Sequence, residues 1–318
     1  MKNKLRLINM NNVEIEEIKW VWHPYIPYGK LTIVQGDPGE GKTTFVLSLI
    51  ALLTTGQPLP ESGTAIEPIN VIYQTAEDGL ADTIKPRLVA AGADCSKVMV
   101  IDESEKELTM CDERLEQAIL QTGAKLVVLD PLQAYLGGSV DMHRANEVRP
   151  IFKKLAALAE NTGCAIILIG HMNKTQGVKS SYRGLGSIDF RAAARSVLVV
   201  GRLKEEPTVR IVAHDKSSLA PEGKAIAFEI NPDTGFAWKG YCDTTVEELL
   251  SGRASLISKT TQAENMLTEM LADGEITSDE LLTQATSIGI SERTLKNAKQ
   301  NLGVKSRKVG DKWFSYLE

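Results

Sequence analysis

Residues 31–56, LTIVQGDPGEGKTTFVLSLIALLTTG, constrain this chain most: an apolar strand, a turn of glycines, proline and acids, then an apolar helix that Gly56 stops. Three glycines in one short turn cost conformational entropy on folding, so the turn must do more than connect. Its sequence, GDPGEGKT, matches G-x-x-x-x-G-K-[ST] at Gly36, Gly41, Lys42 and Thr43, in the strand-to-helix context that this motif requires. Along Gly36, Asp37, Pro38, Gly39, Glu40 and Gly41 the backbone N–H groups can converge on an anion, and the helix N-terminus adds positive potential. The predicted ligand is phosphate: Lys42 neutralises the β and γ phosphates, Thr43 offers its hydroxyl to Mg²⁺, and Thr44 assists.

The alternation continues downstream. INVIYQTA (69–76), KVMVID (97–102), KLVVLD (125–130) and CAIILIG (164–170) read as strands. Helices fall on DTIKPRLVAAGA, where Pro86 bends or delays the start, near 112–121, and over 145–161. Strands apolar on both faces, alternating with helices, predict a parallel sheet with right-handed crossovers, a three-layer α/β domain. After residue 195 the rhythm changes. SVLVVGRL, TVRIVAH, AIAFEI and GFAW are separated by turns such as NPDTG (231–235), which predicts an antiparallel extension of the same sheet. CDTTVEELLSGRASLISKTTQ is polar and reads as a connection, giving a core over 1–242, a linker over 243–260 and a C-terminal domain over 261–318.

Composition bounds the partners. With 318 residues, 43% hydrophobic and 24% charged, the chain can bury one large core plus a small appended domain. No apolar run reaches the roughly 20 residues of a membrane span, and MKNKLRLINMNN lacks the apolar stretch of a secretory signal, so a cytoplasmic protein without membrane partners is expected. Cys95, Cys111, Cys164 and Cys242 lack C-x-x-C spacing and are expected to be free thiols. A net charge of −5 excludes a uniformly basic nucleic-acid binder and leaves only local patches for such contact.

Two carboxylates fall where an open α/β sheet binds ligands. Asp130 ends LVVLD, so it projects from the carboxyl end of a strand, where it can hold the water shell of Mg²⁺. Glu77 follows VIYQTA and lies at the same sheet edge. There it either polarises a water against the γ-phosphate or, with Asp78, caps the next helix electrostatically. Two strand units separate the glycine-rich turn from Asp130 and no NKxD is present, which does not suit a simple GTPase. A small-molecule kinase would need an acceptor pocket and lid, for which no residues stand out.

Five blocks in this order, WHPYIPYGKLTIVQGDPGEGKTT, VIYQTAEDGLADTIKPRL, LVVLDPLQAYLG, IILIGHMNK and YRGLGSIDFRAAARSVLVV, resemble RecA-superfamily ATPases of the plasmid RepA and DnaB helicase type. The resemblance covers nearly the whole chain and implies a RecA-like P-loop core in a ring, usually hexameric, that hydrolyses ATP between subunits and moves along single-stranded DNA. Lys42 and Thr43 match the family's P-loop, Glu77 its catalytic glutamate, Asp130 its Mg²⁺-binding aspartate and His171 the polar sensor of the γ-phosphate. Arg87 resembles an arginine that stacks on adenine. A cation supplied in trans stabilises the transferred phosphoryl group in such rings. Lys216 resembles that finger, with Arg202 ranked beside it and Arg195 behind; where the family often has a second basic residue, Ser217 and Ser218 stand here. The loop after His171 carries Lys174, Lys179 and Arg183 among small residues, with Tyr182 its one aromatic, and suits a phosphate backbone followed without base reading.

The C-terminal stretch reads as helix, helix, turn, helix and hairpin, a winged helix-turn-helix, with Ser278 and Ser291 as helix caps, Gly303 ending the last helix and Gly310 at the wing tip. From Ser291 onward seven basic residues, Arg293, Lys296, Lys299, Lys305, Arg307, Lys308 and Lys312, face three acids. This local reversal of charge favours contact with duplex DNA, although such modules also dock proteins. Two readings follow: a replicative helicase or translocase on single-stranded DNA, or a non-unwinding adaptor or loader that uses ATP to assemble with replication or recombination proteins.

Overall fold

The computed structural model describes residues 7–138, 140–172, 188–257, 259–272 and 274–317. A small antiparallel pair, β1 (Trp20–Trp22) and β2 (Ile26–Pro27), precedes β3 (Leu31–Gly36) and α1 (Lys42–Thr55). There follow β4 (Val71–Thr75), α2 (Lys85–Ala90), β5 (Val98–Met99), α3 (Glu113–Thr122), β6 (Leu126–Asp130), α4 (Ala145–Thr162), β7 (Ala165–His171) and α5 (Ile188–Ala193). The core closes with β8 (Ser196–Arg202), β9 (Val209–Ser217), β10 (Ala225–Asn231), β11 (Gly235–Cys242) and α6 (Val246–Ser251).

Among the described residues, nine strands form one sheet in the order β11-β10-β9-β8-β3-β7-β6-β4-β5. From β8 to β5 every pairing is parallel, and β9, β10 and β11 add antiparallel strands beyond β8. This is the expected RecA-like α/β core with its antiparallel extension. The cause is connection length: tight turns such as Asn231–Gly235 suffice for antiparallel neighbours, whereas each parallel neighbour needs a crossover.

Alternate residues of each parallel strand enter opposite cores. Val34, Tyr73, Val128, Ile167 and Leu198 pack on the α1 side, while Ile33, Ile72, Val127, Ile166 and Val197 pack with α3 and α4. Helix α1 is apolar nearly all round because it is covered twice, by the sheet and by Trp22 and Tyr25 of the β1–β2 hairpin. Its Phe45, fully buried, meets the rings of Trp22, Phe228 and Trp238 at centroid distances of 6.3, 5.6 and 5.9 Å. That packing fixes the axis of α1 and hence the direction in which its N-terminus points.

The strand expected over 97–102 pairs only at Val98–Met99. Beyond them the side chain of Gln74 replaces a strand partner, accepting from Ile101 N–H at 2.6 Å and donating to Ile101 O at 3.2 Å. The helix expected over DTIKPRLVAAGA begins earlier, as a wide π-helical turn over Leu80–Ile84 that runs directly into α2, with Pro86 in the first turn of α2. Within 243–260, the stretch read as a connection, α6 forms behind a capping box of Thr245 and Glu248 and buries Leu249 beside Val199 and Ile211.

The C-terminal segment holds α7 (Lys259–Met270), β12 (Ile276–Thr277), α8 (Ser278–Ser287), α9 (Glu292–Asn301), β13 (Lys305–Val309) and β14 (Lys312–Tyr316). Its strands pair in the order β12-β14-β13, and Ala263, Leu267, Leu281, Leu295 and Ala298 make a core separate from those above. Ser291 caps α9 and Gly303, at φ 68°, follows its end. The expected cap at Ser278 is corrected: Thr277 caps α8, its Oγ1 accepting from Glu280 N–H at 3.3 Å, while Ser278 Oγ lies 3.4 Å from Ser315 Oγ.

Candidate nucleotide site

The P-loop runs from the end of β3 into α1 with Gly39 at φ 80° and Gly41 at φ 90°, left-handed conformations that favour glycine. A side chain at Gly41 would also meet Ile230 Cδ1 at 2.7 Å. The N-cap residue of α1 is Gly41, which has no side chain to cap it, so the first-turn N–H groups and the positive end of the dipole face the loop. Lys42 is 4% exposed, and its Nζ donates to Gly36 O at 2.9 Å and Asp37 O at 2.8 Å. Burial lowers its pKa, against the pull of Asp130, Asp37, Glu40 and Glu77. An ammonium has three donors, so this geometry leaves one for an anion in the loop.

Strand order brings the other candidates together. Strands β3, β7, β6 and β4 are consecutive neighbours, with Gly36 opposite His171 and Thr75 opposite Asp130. The P-loop, His171, Asp130 and Glu77 therefore line one edge of the sheet, at the carboxyl ends of parallel strands. Asp130 Oδ2 accepts from Thr43 Oγ1 at 2.7 Å and from Tyr73 O–H at 2.7 Å. Burial raises the pKa of this carboxyl, opposed by the bonds from Tyr73 and Thr43 and reinforced by Glu77 and Asp78. His171 Nε2 lies 3.9 Å from Glu77 Oε2, and its Nδ1 is buried with no hydrogen-bond partner among the described residues.

The adjacent hydroxyl and carboxylate of Thr43 and Asp130 form a hard oxygen set. It suits Mg²⁺, which takes one or two protein oxygens and completes its shell with phosphate and water. Glu77, about two-thirds exposed, stands off this pair and is free to contact solvent. Both acids also lie just ahead of the turn at Leu80, with Gly79 between, where they can act on its N-terminus electrostatically, and Asp78 pairs with Arg87 at 3.1 Å.

The basic candidates separate. Arg202, at the end of β8, donates to Gly39 O at 3.0 Å and lies 4.0 Å from Glu40, so it engages the P-loop of its own chain. Lys216 donates to Arg191 O at 2.6 Å and Ala194 O at 2.8 Å, at the C-terminal end of α5, and burial lowers its pKa. Arg195 is exposed. Lys174, Lys179, Arg183 and Tyr182 lie outside the described residues. In the C-terminal segment Arg293, Lys296, Lys305 and Lys308 are exposed. Lys299 donates to Ser315 Oγ at 2.9 Å, and Arg307 makes a two-pronged pair with Glu275 at 2.8 and 2.7 Å.

Two residues at this site were missed by sequence reasoning. Tyr73 is one; its signal was a phenol inside a buried strand, which must find a partner. The other is Arg210, 8% exposed behind Gly41, its pKa lowered by burial and by the charge of Arg202 against the pull of Glu40. It pairs across β8 and β9 with Arg202, so two guanidinium groups sit behind the P-loop.

Residues 3–177 match the AAA domain family. DNA repair protein RadA of Halalkalibacterium halodurans is 27% identical over 165 residues, 51% of this chain and 32% of that protein. RadA of Streptococcus pneumoniae is also 27% identical, over 168 residues, 52% of this chain and 36% of that protein. Protein RecA of Haemophilus ducreyi is 24% identical over 234 residues, 67% of this chain and 58% of RecA. The matched stretch thus spans about a third of the RadA relatives. Among solved structures, the RadB recombinase superposes with a TM-score of 0.47 at 19% identity, covering 67% of this chain and 91% of its own. A KaiC-like protein from Pyrococcus horikoshii superposes with a TM-score of 0.46 at 20% identity, covering 67% and 90%.

Proposed function

Because the chain belongs to the AAA domain family and is a P-loop ATPase, we propose that it couples Mg²⁺-dependent ATP hydrolysis to work on DNA. The carrying observation is the meeting of Lys42, Thr43, Asp130, Glu77 and His171 at one sheet edge. Bound there, Mg²⁺ would neutralise charge on the phosphates. Lys42 and the N–H groups of the P-loop grip and orient the triphosphate, Thr43 and Asp130 hold the cation's side of the site, and Glu77 orients the attacking water and accepts its proton. His171, between the P-loop strand and the Asp130 strand, is set to sense the γ-phosphate, and Arg87 to meet the base.

DNA as the partner is supported by the likeness to proteins named for DNA repair and to RecA. The fuller reading is a homo-oligomeric ring of the RepA and DnaB kind that moves along single-stranded DNA and separates strands. Its core spans 1–242, its linker 243–260, and a winged helix 261–318. In such a ring Lys216 and Arg202 rank together as candidates for the cation supplied in trans, each having to leave carbonyls of its own chain, those at the end of α5 for Lys216 and that of Gly39 for Arg202. A second reading, an adaptor or loader that does not unwind, is favoured by exposed Arg293, Lys296, Lys305 and Lys308 on α9 and β13, a surface suited to duplex phosphates.

ATP turnover measured without DNA, with single strands and with duplex, beside a fork-unwinding assay, separates these readings. Stimulation by single strands with strand displacement supports the ring motor. Duplex-stimulated turnover without displacement selects the adaptor, and a rate indifferent to DNA refutes both.

A further inference from the structure

Tyr73 lies in the middle of β4, fully buried, and its O–H reaches the carboxylate of a different strand. In the pairing of β4 with β6 it stands opposite Val128, so Asp130 is two residues further along on the same face, within the reach of an aromatic side chain. Both Tyr73 and Val128 belong to the core on the α1 side, from which Thr43 approaches as the second residue of α1. Three elements that are distant in sequence thus converge on one oxygen: Asp130 Oδ2 accepts from Tyr73 at 2.7 Å and from Thr43 at 2.7 Å.

A core phenol needs a partner, but a neutral carbonyl would satisfy it as well as a carboxylate would. Spending the bond on Asp130 has a different effect. With two hydroxyls fixed on Oδ2, the carboxylate is held against rotation, and neither hydroxyl takes Oδ1. We infer that Tyr73 is a positioning residue for the cation: by clamping Oδ2 from within the sheet while Thr43 holds it from the helix, it presents Oδ1 of Asp130 to the water shell of Mg²⁺. Orienting partners of this kind, one bond removed from the metal, commonly change metal affinity by about 10- to 100-fold. Tyr73 touches neither nucleotide nor metal in this role; it acts through Asp130.

The inference rests on Thr43 and Asp130 being the Mg²⁺ residues, and its test separates the two claims. Binding of a fluorescent ATP analogue is measured for the wild type and Tyr73→Phe, first in EDTA and then across a Mg²⁺ titration. Phenylalanine fills the same space and removes only the hydroxyl. The expected result is unchanged affinity in EDTA and a half-saturating Mg²⁺ concentration raised about tenfold, the loss of one charge-assisted hydrogen bond. In an Asp130→Ala background the same substitution should no longer shift the Mg²⁺ dependence, because the coupling runs through that carboxylate. A Mg²⁺ midpoint equal to the wild type, with only the melting temperature lowered, overturns the inference by making the hydroxyl a packing group. Equal loss of affinity with and without Mg²⁺ overturns it by assigning Tyr73 to the shape of the P-loop. A wild type whose nucleotide affinity ignores Mg²⁺ overturns the metal assignment itself, and the inference with it.

Discussion

Acid should loosen the core through one histidine. His214, in β9, is 8% exposed and packs 5.4 Å from the ring of Tyr25. Its Nδ1 accepts from Gly223 N–H at 2.9 Å, which assigns the ring proton to Nε2, 3.0 Å from Ser196 Oγ. A second ring proton would face the Gly223 N–H donor to donor. Burial accordingly pushes the pKa down to about 4 from 6.5. The unfolded chain therefore takes up this proton more readily than the folded one. The histidine's contribution to stability is fully present above 6.5 and is lost as pH falls from 6.5 to about 4. A gap of about 2.5 pH units corresponds to about 3 kcal/mol. Neighbouring Asp215 works in the opposite direction: burial raises its carboxyl pKa against the pull of Arg191, so acid stabilises the fold there. The readout is therefore the difference between two proteins. Urea unfolding free energies should fall between pH 7.5 and 4.5 by about 2–3 kcal/mol more in the wild type than in His214→Gln, because pH 4.5 crosses most but not all of that window. Equal pH dependence in the two proteins would refute this account of His214.

Replacing Glu77 with Gln should slow ATP turnover by about 10²- to 10⁴-fold while nucleotide affinity stays near that of the wild type, because the role assigned to the carboxylate is towards water rather than phosphate; single-turnover kinetics beside a binding titration check it. Phe45→Ala removes a ring held among Trp22, Phe228 and Trp238 and should cost about 3–5 kcal/mol in urea unfolding, with α1 and the P-loop loosened together. Lys296→Ala and Lys308→Ala together should weaken duplex binding alike for all sequences and lower its salt dependence, read as the slope of log affinity against log salt.

The part of this site that could be read from sequence is the part carried by local order. The P-loop is contiguous, and Asp130, Glu77 and His171 each end or follow an apolar strand, so parallel pairing alone brings them to one edge. Tyr73 was hidden because its partner depends on β4 lying beside β6, a neighbour distant in the chain. The early end of β5 was hidden because a side-chain amide, that of Gln74, substitutes for a strand. The cap of α8 was legible and misread: Thr277 with Glu280 three residues on is the reciprocal capping pattern, and Ser278 has no acid at that spacing. For Arg202 and Lys216 the sequence shows charge but not partners, and their partners, carbonyls of Gly39 and of the end of α5, are set by tertiary packing.

The account depends on Lys42 being the cation that grips the triphosphate. Steady-state ATP hydrolysis by the purified chain and by Lys42→Ala, in Mg²⁺ and with matched circular dichroism, tests it directly. Turnover should fall by about 10²-fold or more in the variant. Undiminished hydrolysis by Lys42→Ala would contradict the account.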